Sequence, residues 1–416
     1  MTIAVLLAGC GLAMQVQPES EALAHVRENV AGTLTRLSSY MCRQTVERSE
    51  YALAGNRPKP CAELLARKDR GRLLTYERLR LDVGSSKSGE IYSWAGEKRF
   101  DDRTLFEIVA GGAMSNGNFA GLLSMIFFSD PVRFSFTGAR NQAGRRLEEF
   151  AFGVPRERSH YNFKDRLRVV AGYEGTLLVD SQTNDPVELV IRTTDLTPDT
   201  GACEADSTLD YRRVPINGAE LLLPAVARLA IVDTDGSEKV NRTVFSNCHE
   251  FLGQSRVSFD DLTGAPPIKT REPPSAGLPP PERVRFTVAL AQDIDTARAA
   301  AGDAVRAQLA TAIKDGANIW AIAGTPLTAR LMEVKHFHDR DPWVRLGLRL
   351  ESIDLHGTTR TFRAHPVIDS VSFHAHKNTN RQWSAGSDDH LELGFPEARG
   401  SVLVRKGMRT EWLTGP

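Results

Sequence analysis

Residues 73–83 read Leu-Leu-Thr-Tyr-Glu-Arg-Leu-Arg-Leu-Asp-Val. Leu73, Leu79, Leu81 and Val83 alternate with Tyr76, Arg78, Arg80 and Asp82. Successive side chains on a strand point to opposite faces, so this period predicts a strand with one buried and one wet face. Similar strand-like runs recur at 146–154, 176–180, 187–194, 208–214, 221–224, 227–233 and 240–247. Asn217-Gly218 and Asp235-Gly236 fall between such runs, and each reads as a two-residue hairpin turn because both positions tolerate positive φ. Upstream, Leu23, Val26, Val30, Leu34, Leu37 and Met41 recur at spacings of three and four and predict one amphipathic helix. Shorter helices are expected at Thr104–Ala110, capped by Thr104, and at Asn118–Phe128. The fold class is therefore mainly β (α+β): a curved antiparallel half-barrel sheet with a few helices packed on its concave side.

Working outward, Leu262–Glu282 holds seven of the 21 prolines and reads as a semi-rigid spacer. It separates a half-barrel domain at 18–261 from a smaller β-rich domain at 283–416, expected to be a β-barrel or sandwich. In the latter, 284–290, 320–334 and 344–353 alternate, 299–311 reads as a short helix or a strand pair, and Gly324-Thr325-Pro326 and His356-Gly357 read as turns. The chain has 416 residues, with 52 Lys+Arg against 52 Asp+Glu, 41% hydrophobic and 25% charged. That composition argues against wholesale disorder and a multi-span membrane protein. The balanced charge lacks the electrostatic signature of a nucleic-acid binder.

Ile3–Met14 is an uncharged apolar stretch of 12 residues, shorter than the roughly 20 a bilayer span needs. Residues 1–17 thus read as a secretory signal, and Leu7-Ala8-Gly9-Cys10 matches a lipobox in which Cys10 would receive lipid. Ordinary cleavage near Gln15, or a buried terminal strand or helix, are the alternatives. The other four cysteines, Cys42, Cys61, Cys203 and Cys248, form no CxxC pair and are expected to form disulfides in an oxidising compartment. Three pairings are open. The local one, Cys42 with Cys61 and Cys203 with Cys248, is the most economical.

The order of elements over 18–260 resembles the outer-membrane lipoprotein carrier and receptor superfamily. The leading helix, the helices around Phe106 and Phe127, and Val179-Asp180-Ser181-Gln182-Thr183 running into Pro186-Val187-Glu188-Leu189 carry the likeness. The resemblance implies a half-barrel that holds acyl chains in an apolar hollow. Tyr40–Thr45 and Phe245–Cys248 are also similar to an uncharacterised family of exported bacterial envelope proteins. Gly302-Asp303 and Ala323–Leu327 look like β-barrel modules of envelope assemblies.

These readings converge on an exported, non-catalytic envelope protein, in the periplasm or associated with the outer membrane of a Gram-negative-type bacterium. Its partner would be a lipid or acyl chain, or another envelope protein, with membrane attachment through a lipid anchor as an option. The expected lining is Trp94, Phe100, Phe106, Phe119, Phe127, Phe134 and Phe152, against the alternative of a closed core. No cofactor is expected. A second class, a metal-binding module or metal-dependent enzyme, rests on His336-Phe337-His338 and His374-Ala375-His376. Residues i and i+2 of a strand share a face, so four imidazoles could meet a divalent metal, with Asp339, Asp388 or Asp389 as further ligands. A third class is a scaffold that docks envelope proteins through sheet edges. Ala113–Gly117 is a near match to a nucleophile elbow around Ser115, with His160 downstream, but lacks the βα context that motif requires.

Overall fold

The computed structural model describes residues 21–53, 59–86, 89–109, 111–164, 168–251, 279–367, 390–397 and 400–415. The segment 1–17 with Cys10, the spacer up to residue 278, and His374, His376, Asp388 and Asp389 lie outside the described residues.

Helix α1 (Glu21–Leu37) leads into strand β1 (Tyr40–Ala52), helix α2 (Cys61–Leu65), β2 (Arg72–Ser86) and β3 (Gly89–Trp94). Two single-turn helices follow, α3 (Leu105–Ile108) and α4 (Gly121–Ser124), the second continuing into a π-helical turn at Met125–Ser129. Then come β4 (Arg133–Gln142), β5 (Arg145–Val154), β6 (Asn162–Lys164), β7 (Arg168–Val170), β8 (Gly172–Asp180), β9 (Pro186–Thr194), β10 (Ala202–Ile216), β11 (Ala219–Asp233) and β12 (Glu238–Glu250). The second half comprises β13 (Arg285–Leu290), β14 (Ile294–Asp295), β15 (Ala304–Leu309), β16 (Ile313–Asp315), β17 (Asn318–Ala321), β18 (Pro326–Phe337) and β19 (Trp343–Leu355). It ends with β20 (Thr358–Thr361), β21 (Ala364–Pro366), β22 (Leu391–Pro396), β23 (Leu403–Val404) and β24 (Arg409–Thr414).

Antiparallel pairing in the first half runs β4–β5–β8–β9–β10–β11–β12–β1–β2–β3. In the second it runs β21–β24–β13–β15–β18–β19, with β20 and β22 sharing the far side of β19. Lys335–Phe337 of β18 pair with Thr75–Glu77 of β2, so both halves belong to one 18-stranded sheet. The protein is mainly β as expected, with a large curved sheet that does not close into a barrel. Each half has its own apolar core. Leu23, Val26, Val30 and Leu37 of α1 pack in the first among Leu81, Val83, Leu177 and Leu209, and Trp412, Phe286 and Leu348 centre the second.

Backbone and side chains together make the seam between the halves, the latter including the Arg80–Asp303 ion pair and Arg78 donating to Ala297 O (2.7 Å). Arg80 N–H donates to Ala301 O (2.7 Å) and Ala301 N–H to Arg78 O (2.8 Å). Gly302, at φ 98°, presses against the Arg80 carbonyl and the Trp94 ring, where a Cβ would stand 2.1 and 2.8 Å away. Buried Arg330 of β18 reaches across, donating to Gly302 O (2.7 Å), Ala95 O (3.1 Å) and Glu351 Oε1 (2.6 Å).

Several expectations are corrected. Helix α1 stops at Leu37 and Met41 belongs to β1, a strand whose inward positions include Gln44 and Arg48 and so hide its alternation. The runs at 221–224 and 227–233 are one strand, kept in register by a bulge opposite Asp210 and Tyr211. Asn217-Gly218 is the expected two-residue turn, with φ of 50° and 81°, whereas Asp235-Gly236 sits in a longer loop closed by Gly236 N–H to Asp233 O. Residues 299–311 hold a turn and the single strand β15 rather than a helix. The disulfides are Cys42–Cys248 and Cys61–Cys203, not the local pairs. Curvature brings β1 beside β12, and the strand bulges there so that Asn247 and Cys248 oppose Cys42. The closed loops are long, with separations of 206 and 142 residues, each corresponding to about 5 kcal/mol in the chain-entropy model. Among the described residues no helix is long and apolar enough to cross a membrane.

Candidate functional site

Among the described residues, β3 and β4 end the strand order of the first half, and the chain between them, residues 95–109 and 111–132, turns back to fill the hollow. Leu105, Ile108, Phe119, Leu122, Leu123, Ile126 and Phe127 of this plug are all buried in the first core beside α1. Glu107 receives both the backbone N–H and the hydroxyl of Thr104 (2.7 Å each), the expected cap of α3.

Glu90, at the β3 edge, secures the middle of the plug. Its Oε1 accepts the backbone N–H groups of Phe119 (2.8 Å), Ala120 (2.8 Å) and Gly121 (3.2 Å), and its Oε2 that of Gly117 (2.8 Å). These include the unpaired donors that begin a helix, and a carboxylate satisfies them with charge as well as geometry. Tyr92 also donates its hydroxyl to Oε2, and burial, with Glu90 adding to it, pushes that phenol well above its ordinary value. Asp130 secures the far end. Its buried carboxylate accepts the Tyr173 hydroxyl (2.7 Å), the His160 backbone N–H (3.2 Å) and a bond with His160 Nδ1. Burial, reinforced by Asp130, raises the Tyr173 phenol. From α1, Arg27 donates to Phe127 O and lies over the Phe127 ring, while Asn29 donates to Thr183 O (2.9 Å) and Asn184 O (3.1 Å) on the sheet rim.

Of the seven expected lining residues, Phe127, Phe134 and Phe152 stand in a row, with ring centroids 5.4 and 5.5 Å apart, and Tyr173 continues it at 6.2 Å. Phe119 stacks on Phe245 (6.3 Å). Trp94 is buried against the Gly302 seam, Phe100 packs edge-on to Phe251 (5.2 Å), and Phe106 on α3 is partly exposed. The row continues outward to Phe128, next to Phe127, and Phe136, on β4 beside Phe150, is more exposed still at 59%. The aromatic residues thus form a closed interior with an exposed rim.

His336 lies in β18 and His338 one residue beyond its end, and their rings stack 6.4 Å apart. Both nitrogens of the buried His336 have partners within the fold: Nδ1 meets Glu397 Oε1 (3.1 Å) and Nε2 meets Thr296 O (3.3 Å). Metal binding there would have to displace those bonds. Among the described residues no group of three or more His, Cys, Asp or Glu is arranged to hold a metal ion.

Sequence reading missed the polar groups that secure the interior: Glu90, Asp130, Arg330 and the buried pair Arg48–Glu77 (2.5 Å). One signal was present. Arg48 continues the inward row Cys42, Gln44, Val46, and a charge at an inward position demands a buried partner.

No known family profile matches the sequence, and no curated protein matches it. Among solved structures, a DUF1329 family protein from Desulfovibrio piger covers 57% of this chain and 96% of its own length. Its identity to this chain is 11% and the TM-score 0.30, too loose a likeness to carry fold or function across.

Proposed function

We propose that this is an exported, non-catalytic envelope protein whose first half takes up a lipid or acyl chain in its hollow when the plug moves aside. The observation that carries the reading is the row of rings from exposed Phe128 through Phe127, Phe134 and Phe152 to Tyr173, at the place where the sheet fails to close. An apolar chain entering past Phe128 and Phe136 would replace the contacts of the plug helices with its own, and such exchange conserves apolar burial. The plug suits exchange because it is made of single-turn helices and a π-turn, a form common at functional sites. Two long-range disulfides are consistent with an oxidising, exported location, and periplasmic or outer-membrane residence is part of the proposal.

The test uses the oxidised full chain and a dansyl-labelled undecanoic acid. Saturable fluorescence, reversed by oleic acid, is expected, with tighter apparent binding in Glu90→Gln because less of the affinity is lost to opening the plug. No saturable binding by either protein would refute the proposal. A scaffold role has one observation in its favour: among the described residues the outer edge of β4 has no strand partner. Its mark would be strand addition by an envelope protein with no effect of fatty acid.

A further inference from the structure

The outer face of the second half carries a cleft of about 380 Å³ with mixed polar and apolar walls. Its position follows from register. Arg306 of β15 lies opposite Thr328 of β18, which lies opposite Ser352 of β19, and two residues further along β19 Asp354 lies opposite Thr359 of β20. Directly opposed residues share a face. The intervening Val305, Ala307, Leu327 and Ile353 are buried in the second core, so alternation sends the polar set outward. Gln308, two residues beyond Arg306, adds a further polar group, and Ala291, Ala307, Gly324, Pro326 and Leu327 form the rest of the lining.

A hydroxylated, charged outer face is ordinary for an antiparallel sheet. Two features set this one apart. It is concave, with a volume in the range that holds small ligands. And Asp354 Oδ1 is shielded from solvent without any hydrogen-bond donor. A buried acceptor left unpaired costs stability, and rotation of the Asp354 carboxylate toward the cleft it lines would let a ligand hydroxyl or amine supply the donor. Arg306 donates its Nε–H to Gln292 Oε1 (3.0 Å), which fixes the guanidinium while its terminal amino groups remain as further donors.

We propose that this cleft binds a saccharide. Each sugar hydroxyl both donates and accepts, and the cleft offers an acceptor in Asp354, donors in Arg306, an amide with both in Gln308, and three hydroxyls with both roles. Planar carboxylate, amide and guanidinium groups each engage two adjacent hydroxyls. A zwitterion would use Asp354 and Arg306 but would leave the three hydroxyls without a task. No aromatic ring lines the cleft to hold a quaternary ammonium. The site belongs to the second half and is independent of what the hollow binds.

The test is saturation-transfer difference NMR on the full chain with cellobiose and chitobiose, and glycine betaine as the zwitterion. At least one disaccharide is expected to show saturable transfer, weakened about tenfold or more by Asp354→Ala, since hydrogen bonds to a charged group are lost. Thr359→Ala, on an exposed strand, is the milder second variant and should weaken binding with unchanged circular dichroism and melting. Absence of saturable transfer from both disaccharides, full binding by both variants, or binding of betaine alone would overturn the proposal.

Discussion

Gly302→Ala tests whether the two halves are held by a seam that has no room to yield. Residue 302 sits at φ 98°, a conformation that costs an L-residue about 1–3 kcal/mol. The added methyl would meet the Arg80 carbonyl oxygen at 2.1 Å and Trp94 Cε3 at 2.8 Å. Neither side can move freely. Gly302 N–H is bonded to Leu331 O (2.7 Å) and its carbonyl to Arg330 (2.7 Å), while Arg80 N–H is bonded to Ala301 O (2.7 Å). Overpacking a constrained site costs about 1–3 kcal/mol, so the sum is roughly 2–6 kcal/mol. The assay is urea unfolding followed by tryptophan fluorescence, with Trp94 reporting beside the substitution. Gly32→Ala is the control, because nothing lies within 4 Å of its added methyl and helix α1 should gain about 0.5–1 kcal/mol. A Gly302→Ala loss below about 1 kcal/mol would mean that the seam slides rather than locks, and the reasoning from its hydrogen bonds would fail.

Glu90→Gln places an amide where the plug needs only acceptors and should cost about 2–3 kcal/mol, with hydrogen exchange at Phe119–Gly121 faster by roughly 30-fold or more. Unchanged protection there would show that packing alone holds the plug. Non-reducing peptide mapping should recover Cys42 joined to Cys248 and Cys61 to Cys203, and recovery of the adjacent pairs would contradict the strand order. Burial pulls Glu351 upward, but its hydrogen bonds and charges with Arg330 and Arg349 outweigh this and hold the carboxyl below the usual range. Its contribution is present above the unfolded value of about 4.3 and is lost as pH falls through the lower folded value, so Glu351→Gln should flatten the acid limb of the urea midpoint. Neighbouring Glu97 has the opposite sign: burial raises it despite Arg330, folding takes up its proton as pH falls, and Glu97→Gln should steepen that limb.

What could be read beforehand depended on whether the inward positions were apolar. Strands β2, β9 and β10 carry apolar inward rows and were found, although Asp82, expected on the wet face of β2, is buried, and Asn217-Gly218 declared its turn because its φ requirement is local. Strand β1 was missed because Gln44 and Arg48 face inward, and β4 because it is a sheet edge with most of its length exposed. Of the aromatic residues expected to line a hollow, Phe127, Phe134 and Phe152 stand side by side, whereas Trp94 and Phe100 serve contacts made far from that row. Glu90 and Asp130 left no trace in the sequence, because their partners are backbone amides and distant side chains. Cysteine pairing was equally hidden, since economy of loop length says nothing about which strands a curved sheet brings together.

That pairing has a consequence for how the chain matures. In order along the chain the four cysteines join first to last and second to third, one loop nested inside the other. An oxidase meeting the chain as it is threaded from its amino end would encounter Cys42 and Cys61 long before Cys203 arrives. Adjacent thiols would couple first, and thiol–disulfide exchange would then have to undo that bond before β1 could settle beside β12. With the exported location proposed above, maturation is expected to need an isomerase as well as an oxidant, and a strain lacking one should accumulate the protein with Cys42 bonded to Cys61.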